Sequence, residues 1–214
     1  MRQSPFSPTP GRDPVHTHAP PALPALRDYS APVVAALALT AVGAVAWYAL
    51  RRPAIPPTAI PVSDFDLPRF MGKWYEVARI DNRYEKSLQR TQAEYTLLPN
   101  GTVRVENRGF DPRKREWHIA TGKAKPVLGI DIGALKVAFW GPFYDGYNVV
   151  ALDPKYRWAM VVGSQLDRFW ILSRTPFLPA GVEERLLRQA RDMGVPVDRV
   201  LWVHQDGINP TGSY

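Results

Sequence analysis

Gly72-Lys73-Trp74-Tyr75-Glu76-Val77-Ala78-Arg79 is the stretch that decides the fold. It follows a short helical or 3₁₀ lead-in, Leu67-Pro68-Arg69-Phe70, and opens a series of segments in which apolar and polar residues alternate. Gly72 lets the chain turn tightly from the lead-in into the first strand, and Trp74 sets a large ring at the closed end of whatever that strand helps to enclose.

Downstream, short strand-like runs recur about every eight to twelve residues, the pattern of an antiparallel sandwich or barrel. The predicted strands are Lys73–Ile80, Thr91–Leu98, Thr102–Gly109, Glu116–Lys125, Ala134–Trp140, Gly146–Leu152, Trp158–Gly163 and Arg168–Ser173. Asn100-Gly101 joins the second to the third as a tight hairpin, since both residues accept positive φ. Eight strands is the number that closes an all-β, up-and-down barrel around one small ligand. After Pro176 the period changes: Val182, Leu186, Ala190 and Met193 recur at helical spacing between Pro179 and Gly194. This predicts one amphipathic C-terminal helix packed on the outside of the barrel, followed by a ninth strand over Val200–Val203.

Upstream of the strands the composition is different. Residues 1–30 are rich in Pro, Ser, Ala and Thr and bury too little apolar surface to fold, so they read as a disordered leader. From Ala31 to Leu50 no charge occurs, and twenty residues match a hydrocarbon core of about 30 Å, so residues 31–50 are expected to form a transmembrane helix or signal-anchor. Arg27 precedes this run, Arg51-Arg52 follow it, and Trp47 and Tyr48 stand at its downstream end, where an interfacial aromatic belt would lie. A signal peptide cleaved after Ala44-Val45-Ala46 is the alternative; the apolar length beyond that site and the resulting Trp47 terminus argue for an uncleaved anchor. Residues 51–63, with Pro53, Pro56, Pro57 and Pro61, read as a semi-rigid tether that lifts the domain off the bilayer. The domain is expected over 64–206, with a flexible tail over 207–214.

The 214 residues carry a formal charge of +7, 22 prolines and no cysteine. The missing thiols exclude a disulfide framework and thiolate metal sites, and His16, His18, His118 and His204 are scattered, so no metal and no cofactor is expected. The basic residues are dispersed; Arg113-Lys114-Arg115 is the tight cluster and reads as a solvated hairpin tip. With no recognition-helix or RNP-like pattern, nucleic acid is not an expected partner, whereas an anionic membrane surface is. No serine sits in a nucleophile-elbow context, and Glu183-Glu184 belong to the solvated face of the helix, so no catalytic residue and no enzyme is expected.

Three blocks in order carry a family resemblance: Gly72 to Arg79; Gly141-Pro142-Phe143-Tyr144 with Tyr147 to Asp153 and Tyr156; and Trp170-Ile171-Leu172-Ser173-Arg174-Thr175-Pro176. Together they span about residues 64 to 206 and resemble the lipocalin family, more closely its bacterial outer-membrane and apolipoprotein D branch. The second block is similar to the family's Thr-Asp-Tyr region, with Leu152 in place of the threonine. The resemblance implies a barrel floor sealed by Gly72, Trp74, Asp153, Tyr156 and Arg174, with Arg174 stacked on Trp74 as a cation–π pair. With Trp74 inward, alternation groups Tyr95, Leu97, Val103, Val105, Leu135, Val137, Phe139, Val150 and Leu152 on the cavity wall. Asn148 is expected on that face as a headgroup contact or a satisfied core amide, and Met160 and Trp170 as adaptable wall residues. Glu76 shares the parity of Trp74 and reads as a partly buried acid beside an arginine.

The resemblance further implies a non-catalytic carrier that holds a fatty acid, lysophospholipid or similar small hydrophobic ligand. The alternatives are a membrane-tethered scaffold whose barrel has no ligand role and, behind it, a lipid-modifying hydrolase. Phe143, Tyr144 and Tyr147 are expected either in an exposed patch, serving a partner or a homodimer contact, or as a lid on the barrel mouth. The flanking arginines lean toward a cytoplasmic domain, the resemblance toward a periplasmic one in the bacterial envelope. Bacterial relatives are lipoproteins; with no cysteine to acylate, outer-membrane residence is in doubt and an inner-membrane anchor is expected instead.

Overall fold

The structure, a computed structural model, describes residues 55–81 and 87–205. A four-residue helix, α1 (Leu67–Phe70), leads into β1 (Gly72–Ile80), β2 (Gln89–Leu97), β3 (Val103–Asp111), β4 (Glu116–Pro126), β5 (Ala134–Ala138), β6 (Asp145–Leu152), β7 (Trp158–Val162) and β8 (Phe169–Ser173). Helix α2 (Val182–Met193), a 3₁₀ turn (Val197–Arg199) and β9 (Val200–Trp202) follow. Each element predicted from Leu67 onward is present, with ends that differ by a few residues. The strands pair antiparallel in chain order from β2 to β8, then β1 and β9, and β2 pairs back onto β1. The eight-stranded barrel is thereby closed.

Strand β1 is the seam. Its first half lies on β2, from Gly72 opposite Tyr95 to Tyr75 opposite Gln92, while its other edge lies on β8 from Tyr75 opposite Ser173 to Arg79 opposite Trp170. Further along, β9 takes the place of β2, with Ala78 opposite Trp202 and Ile80 opposite Val200. Residues of the chain end then bridge the gap: the Gln205 amide donates to the carbonyls of Glu76 and Thr91 at 2.8 and 3.0 Å.

Two apolar cores result from alternation on these strands. Inside the barrel, Trp74, Val105, Ala124, Leu135, Val149, Val161 and Leu172 pack above Phe65, Leu67 and Phe70 of the lead-in. Outside it, Val182, Leu186, Ala190 and Met193 of α2 cover Ala78, Val150, Met160, Phe169 and Ile171. Strand β7 is buried along its whole length because one face looks into the barrel and the other lies under α2. The glycine boundary of α2 is confirmed in detail, with Gly194 at φ +95 donating to the carbonyls of Ala190 and Arg191.

Besides a register shift between Gln89 and Gln92 of β2, two β-bulges alter the alternation. One lies between Glu76 and Ala78 in β1, the other between Val149 and Ala151 in β6. Each inserts a residue that shifts the facing parity of the rest of the strand. In β1, Trp74 and Glu76 therefore face inward, Ala78 and Ile80 face the outer core, and Arg79 turns back inside. In β6, Tyr147 and Val149 face in, Val150 and Ala151 face α2, and Leu152 faces in again.

Helix α2 runs from the closed end of the barrel to its mouth. Arg185 in its first turn lies 5.0 Å over the ring of Trp158, the first residue of β7, and Gly194 beyond its last turn sits against Leu166 in the β7–β8 connection. The incoming chain takes the opposite direction. Thr58 Oγ1 donates to the Met193 carbonyl at 2.7 Å near the mouth, Val62 exchanges backbone bonds with Val149 and Gly133, and the Phe65 N–H donates to the Asp131 carbonyl at 2.8 Å. Expected as part of a tether, residues 55–62 instead lie against the barrel wall, because Ile55 and Ala59 have apolar partners there.

The expected transmembrane helix over 31–50, the leader and the tail lie outside the described residues. Among the described residues no helix is long and apolar enough to cross a membrane. The described residues all lie within one compact unit, Trp47–Tyr214, which contains the closed barrel and both cores, as a domain needs in order to fold by itself.

Candidate functional site

The floor of the barrel is built from four chain segments. Asp66 caps α1 by accepting from the Arg69 N–H at 3.1 Å, which fixes Phe70 beneath the barrel. The indole N–H of fully buried Trp74 donates to the Phe70 carbonyl at 2.8 Å. Arg174 arrives from the end of β8, places its guanidinium 3.8 Å from the Trp74 ring centroid, and donates to the carbonyls of Lys73, Arg69 and Tyr156 at 2.8, 2.9 and 3.3 Å. Gly72 has φ +86, a left-handed conformation that glycine adopts without strain. The Tyr156 hydroxyl accepts from the Asp66 N–H at 2.7 Å.

Asp153 organises the turn beside the floor. Its buried carboxylate accepts from the backbone N–H groups of Lys155 and Arg157 and, at 2.8 Å twice, from the Arg157 guanidinium. The bonds from the Arg157 side chain lower its pKa from 3.8 to about 2 against the opposing effect of desolvation. Gly72, Trp74, Tyr156 and Arg174 thus meet at one place, with Asp153 in the adjoining turn.

Above the floor, Tyr95, Val103, Val105, Leu135, Val137, Phe139 and Trp170 face the interior. Four residues assigned to that wall from sequence do not. Val150 and Met160 pack under α2, Val150 because it shares the outward parity of Asn148 and only the β6 bulge beyond it brings Leu152 inward, and Met160 because the doubly buried β7 has no polar residue to mark its outer face. Asn148 is on the outer side too, where its amide donates to the carbonyls of Val162 and Gly163 at 3.3 and 3.2 Å, so it is a satisfied core amide. Leu97 ends β2 at the floor and is 37 % exposed.

Conversely, Phe70, Val149, Ala159, Val161 and Leu172 line the interior without having been singled out, and Tyr147 is an inner residue and not part of an exterior patch. Its ring meets Tyr95 edge-on at 6.0 Å, the two hydroxyls are 3.0 Å apart, and burial pushes the Tyr147 phenol well above its ordinary pKa. Strict alternation from Asp145 would have found Tyr147 and Val149.

The family model for a lipocalin-like domain matches residues 65–205. The chain belongs to the lipocalin family. It is 42 % identical over 176 residues to the outer membrane lipoprotein Blc of Citrobacter freundii, covering 82 % of this chain and 97 % of the relative. To Blc of Escherichia coli K12 it is 43 % identical over 153 residues, 71 % of this chain and 86 % of the relative. Among solved structures, insecticyanin of the tobacco hornworm, Manduca sexta, superposes with a TM-score of 0.56 at 20 % identity over 71 % of this chain and 86 % of that one. This last likeness concerns the fold.

In this lipocalin small residues take several inward positions of β2 to β4, Ala93, Gly109 and, successively on β4, Ala120, Gly122 and Ala124. Beside them Val137, paired with Ala124 of the neighbouring strand, Phe139, whose ring lies against Gly122, and Trp170 face inward yet are only partly buried, and Ala120 is exposed. Inward side chains that keep accessible surface border space in the barrel that protein atoms do not fill. One inner sector is polar: Arg79, almost wholly buried, bonds Glu76 at 2.8 Å, Asp81 at 2.7 Å and the Leu88 carbonyl at 2.9 Å. Desolvation alone would lower the Arg79 pKa; the Glu76 and Asp81 carboxylates outweigh it, so the net shift is upward. Among the described residues no three His, Asp or Glu gather where a metal ion could sit.

Proposed function

We propose that this lipocalin is a non-catalytic carrier of the bacterial cell envelope that holds a fatty acid, a lysophospholipid or a similar small hydrophobic molecule in its barrel. The observation that carries this is the partly accessible inner wall of Val137, Phe139 and Trp170 beside the small inward residues of β4. An acyl chain entering such a space gains about 0.8 kcal/mol per buried CH₂. The bacterial relatives, named as outer membrane lipoproteins, support an envelope location. Their mode of anchoring does not carry over, since these 214 residues contain no cysteine; the apolar run Ala31–Leu50 is the anchor proposed here, with the barrel on the periplasmic side.

The serines give no support to hydrolysis. Ser164 Oγ accepts from the Gly146 N–H at 2.8 Å, and Ser173 Oγ donates to the Phe177 carbonyl at 2.9 Å, both in structural turns. A membrane surface is the proposed partner of the barrel mouth. Trp140 and Phe143, 71 and 80 % exposed, project from the β5–β6 connection there, and Arg113-Lys114-Arg115 form the tip of the neighbouring β3–β4 hairpin. Aromatic rings and basic side chains together suit an anionic lipid interface.

The test is displacement of a polarity-sensitive fluorescent fatty acid from the segment Trp47–Tyr214 by oleate and by oleoyl-lysophosphatidylcholine. Saturable micromolar binding that Val137→Trp abolishes, with the circular dichroism of the barrel retained, is the expected result. Absence of saturable binding by the unaltered segment would favour the scaffold function.

A further inference from the structure

The flank of the barrel that α2 leaves uncovered is strongly basic. With Val103, Val105, Ala124 and Val137 turned inward, the outer face of β3, β4 and β5 presents Arg104, Arg108, Lys123, Lys125 and Lys136 and, among acids, Glu106. Arg104 stands directly opposite Lys123, and Lys125 directly opposite Lys136. Like charges in that register repel, and among the described residues none of the five cations is held in an ion pair. On the other side of the molecule α2 sets Glu183, Glu184 and Asp192 against Arg185, Arg188 and Arg191, with Arg188 bonded to Glu184 at 3.4 Å. Stacking opposed cations on one bare sheet face does nothing for the fold. An anionic partner outside the protein relieves their repulsion.

Apolar side chains on the same face restrict what that partner is. Trp117 and Ile119, 47 and 60 % exposed, continue the outward row of β4 toward the mouth, and the Trp117 ring lies 5.5 Å from that of Phe110. From the β5–β6 connection the Tyr144 ring reaches the lysines, with Lys136 Nζ 4.9 Å and Lys123 Nζ 6.0 Å from its centroid. Cations spread along a sheet, with aromatic and aliphatic groups among them, match an anionic bilayer: phosphates take the charges and rings settle at headgroup depth. A nucleic acid would satisfy the charges but gives Ile119 no apolar phase to enter. The mouth ends of these strands carry Arg113-Lys114-Arg115 and lead on to Trp140 and Phe143, so flank and rim are continuous.

We propose that the outer face of β3, β4 and β5 is a docking surface for an anionic lipid bilayer, on which the barrel lies along this flank with its rim at the lipid surface instead of standing on the rim alone. The proposal rests on the membrane contact proposed for the mouth and extends it to a second face. The test is co-sedimentation of Trp47–Tyr214 with vesicles of phosphatidylcholine, alone or mixed with phosphatidylglycerol. Binding should require phosphatidylglycerol and weaken as ionic strength rises. Two triple variants remove the same charge from different places: Lys123→Gln/Lys125→Gln/Lys136→Gln on the flank, and Arg113→Gln/Lys114→Gln/Arg115→Gln at the rim. At about fivefold per charge near the surface, the flank variant should lose at least tenfold in partitioning, and more than the rim variant. Ile119→Ser, which leaves the charge unchanged, should also weaken binding. Brominated acyl chains should quench Trp117, so that Trp117→Phe reduces the quenching. Because the flank substitutions remove opposed like charges, the denaturation midpoint of that variant should equal or exceed that of the unaltered protein.

A flank variant that binds as well as the unaltered protein, or loses no more than the rim variant, would overturn the flank as a docking surface and leave the rim contact standing. Tighter flank-dependent binding of a DNA duplex than of the vesicles would overturn the bilayer as its occupant. No binding of the unaltered protein to anionic vesicles removes rim and flank contacts together, and leaves the carrier function to be judged by fatty-acid displacement, which needs no bilayer. Ile119→Ser and the lipid and salt dependence of the unaltered protein are read without altering any lysine.

Discussion

Arg174 shows how one side chain closes a barrel. Its charge lies against the face of Trp74 and its N–H groups collect carbonyls from Arg69 and Lys73 at the start of the domain and from Tyr156 far along the sequence. Arg174→Ala removes the cation–π contact and leaves those carbonyls to water, and is expected to destabilise the domain by about 2–3 kcal/mol. Arg174→Lys keeps the charge but not the fork geometry and should recover less than half of that loss, as read from urea unfolding midpoints. Asp153 makes a prediction about pH. Its carboxyl pKa is lower in the folded chain, about 2 against 3.8, so the protonated form is favoured by unfolding. The stabilisation is complete above about pH 4 and is lost as pH falls toward 2. The Arg157 partner is 57 % exposed, and after allowance for solvent screening the contribution is about 1 kcal/mol. In Asp153→Asn the slope of stability against pH between 4 and 2 should be shallower; an unchanged slope would show that other carboxylates govern acid unfolding.

At the scale of the element, α2 and the strands it covers illustrate what was legible beforehand. The helix, its glycine C-cap and its buried face Val182, Leu186, Ala190 and Met193 follow from spacing alone, because polar residues separate the apolar ones. Leu186 is fully buried against the barrel, and Leu186→Ala is expected to cost about 3 kcal/mol, seen as a lower denaturation midpoint with an unchanged slope. The strands beneath it were less readable. In β7 every residue is buried, so no polar position distinguishes inside from outside and Met160 could be placed on either face. In β6 the bulge puts Val150 and Ala151 on the same side, an arrangement no period-2 pattern contains. The parity of Tyr95, Val105 and Val137, by contrast, was readable because charged or polar residues such as Glu94, Arg104 and Lys136 stand beside them.

For the whole molecule, the order of three short blocks was enough to give the barrel, its helix and the family, while the ligand space depends on which inward residues are small and which strands slip. The path of the entering chain was also not legible, since Ile55 to Val62 is proline-rich and reads as a spacer until Thr58 and Val62 are seen bonded to the domain. That path has a mechanical consequence. The uncharged run ends at Leu50 and packing on the barrel has begun by Ile55, so five peptide steps separate them, at most about 17 Å when drawn straight. A domain of this size is roughly 40 Å across. Under the anchoring of Ala31–Leu50 proposed above, such a mooring is shorter than the body it holds, and the proposed carrier would not ferry cargo across a compartment. It would work as a fixed berth, filled and emptied by whatever comes to it.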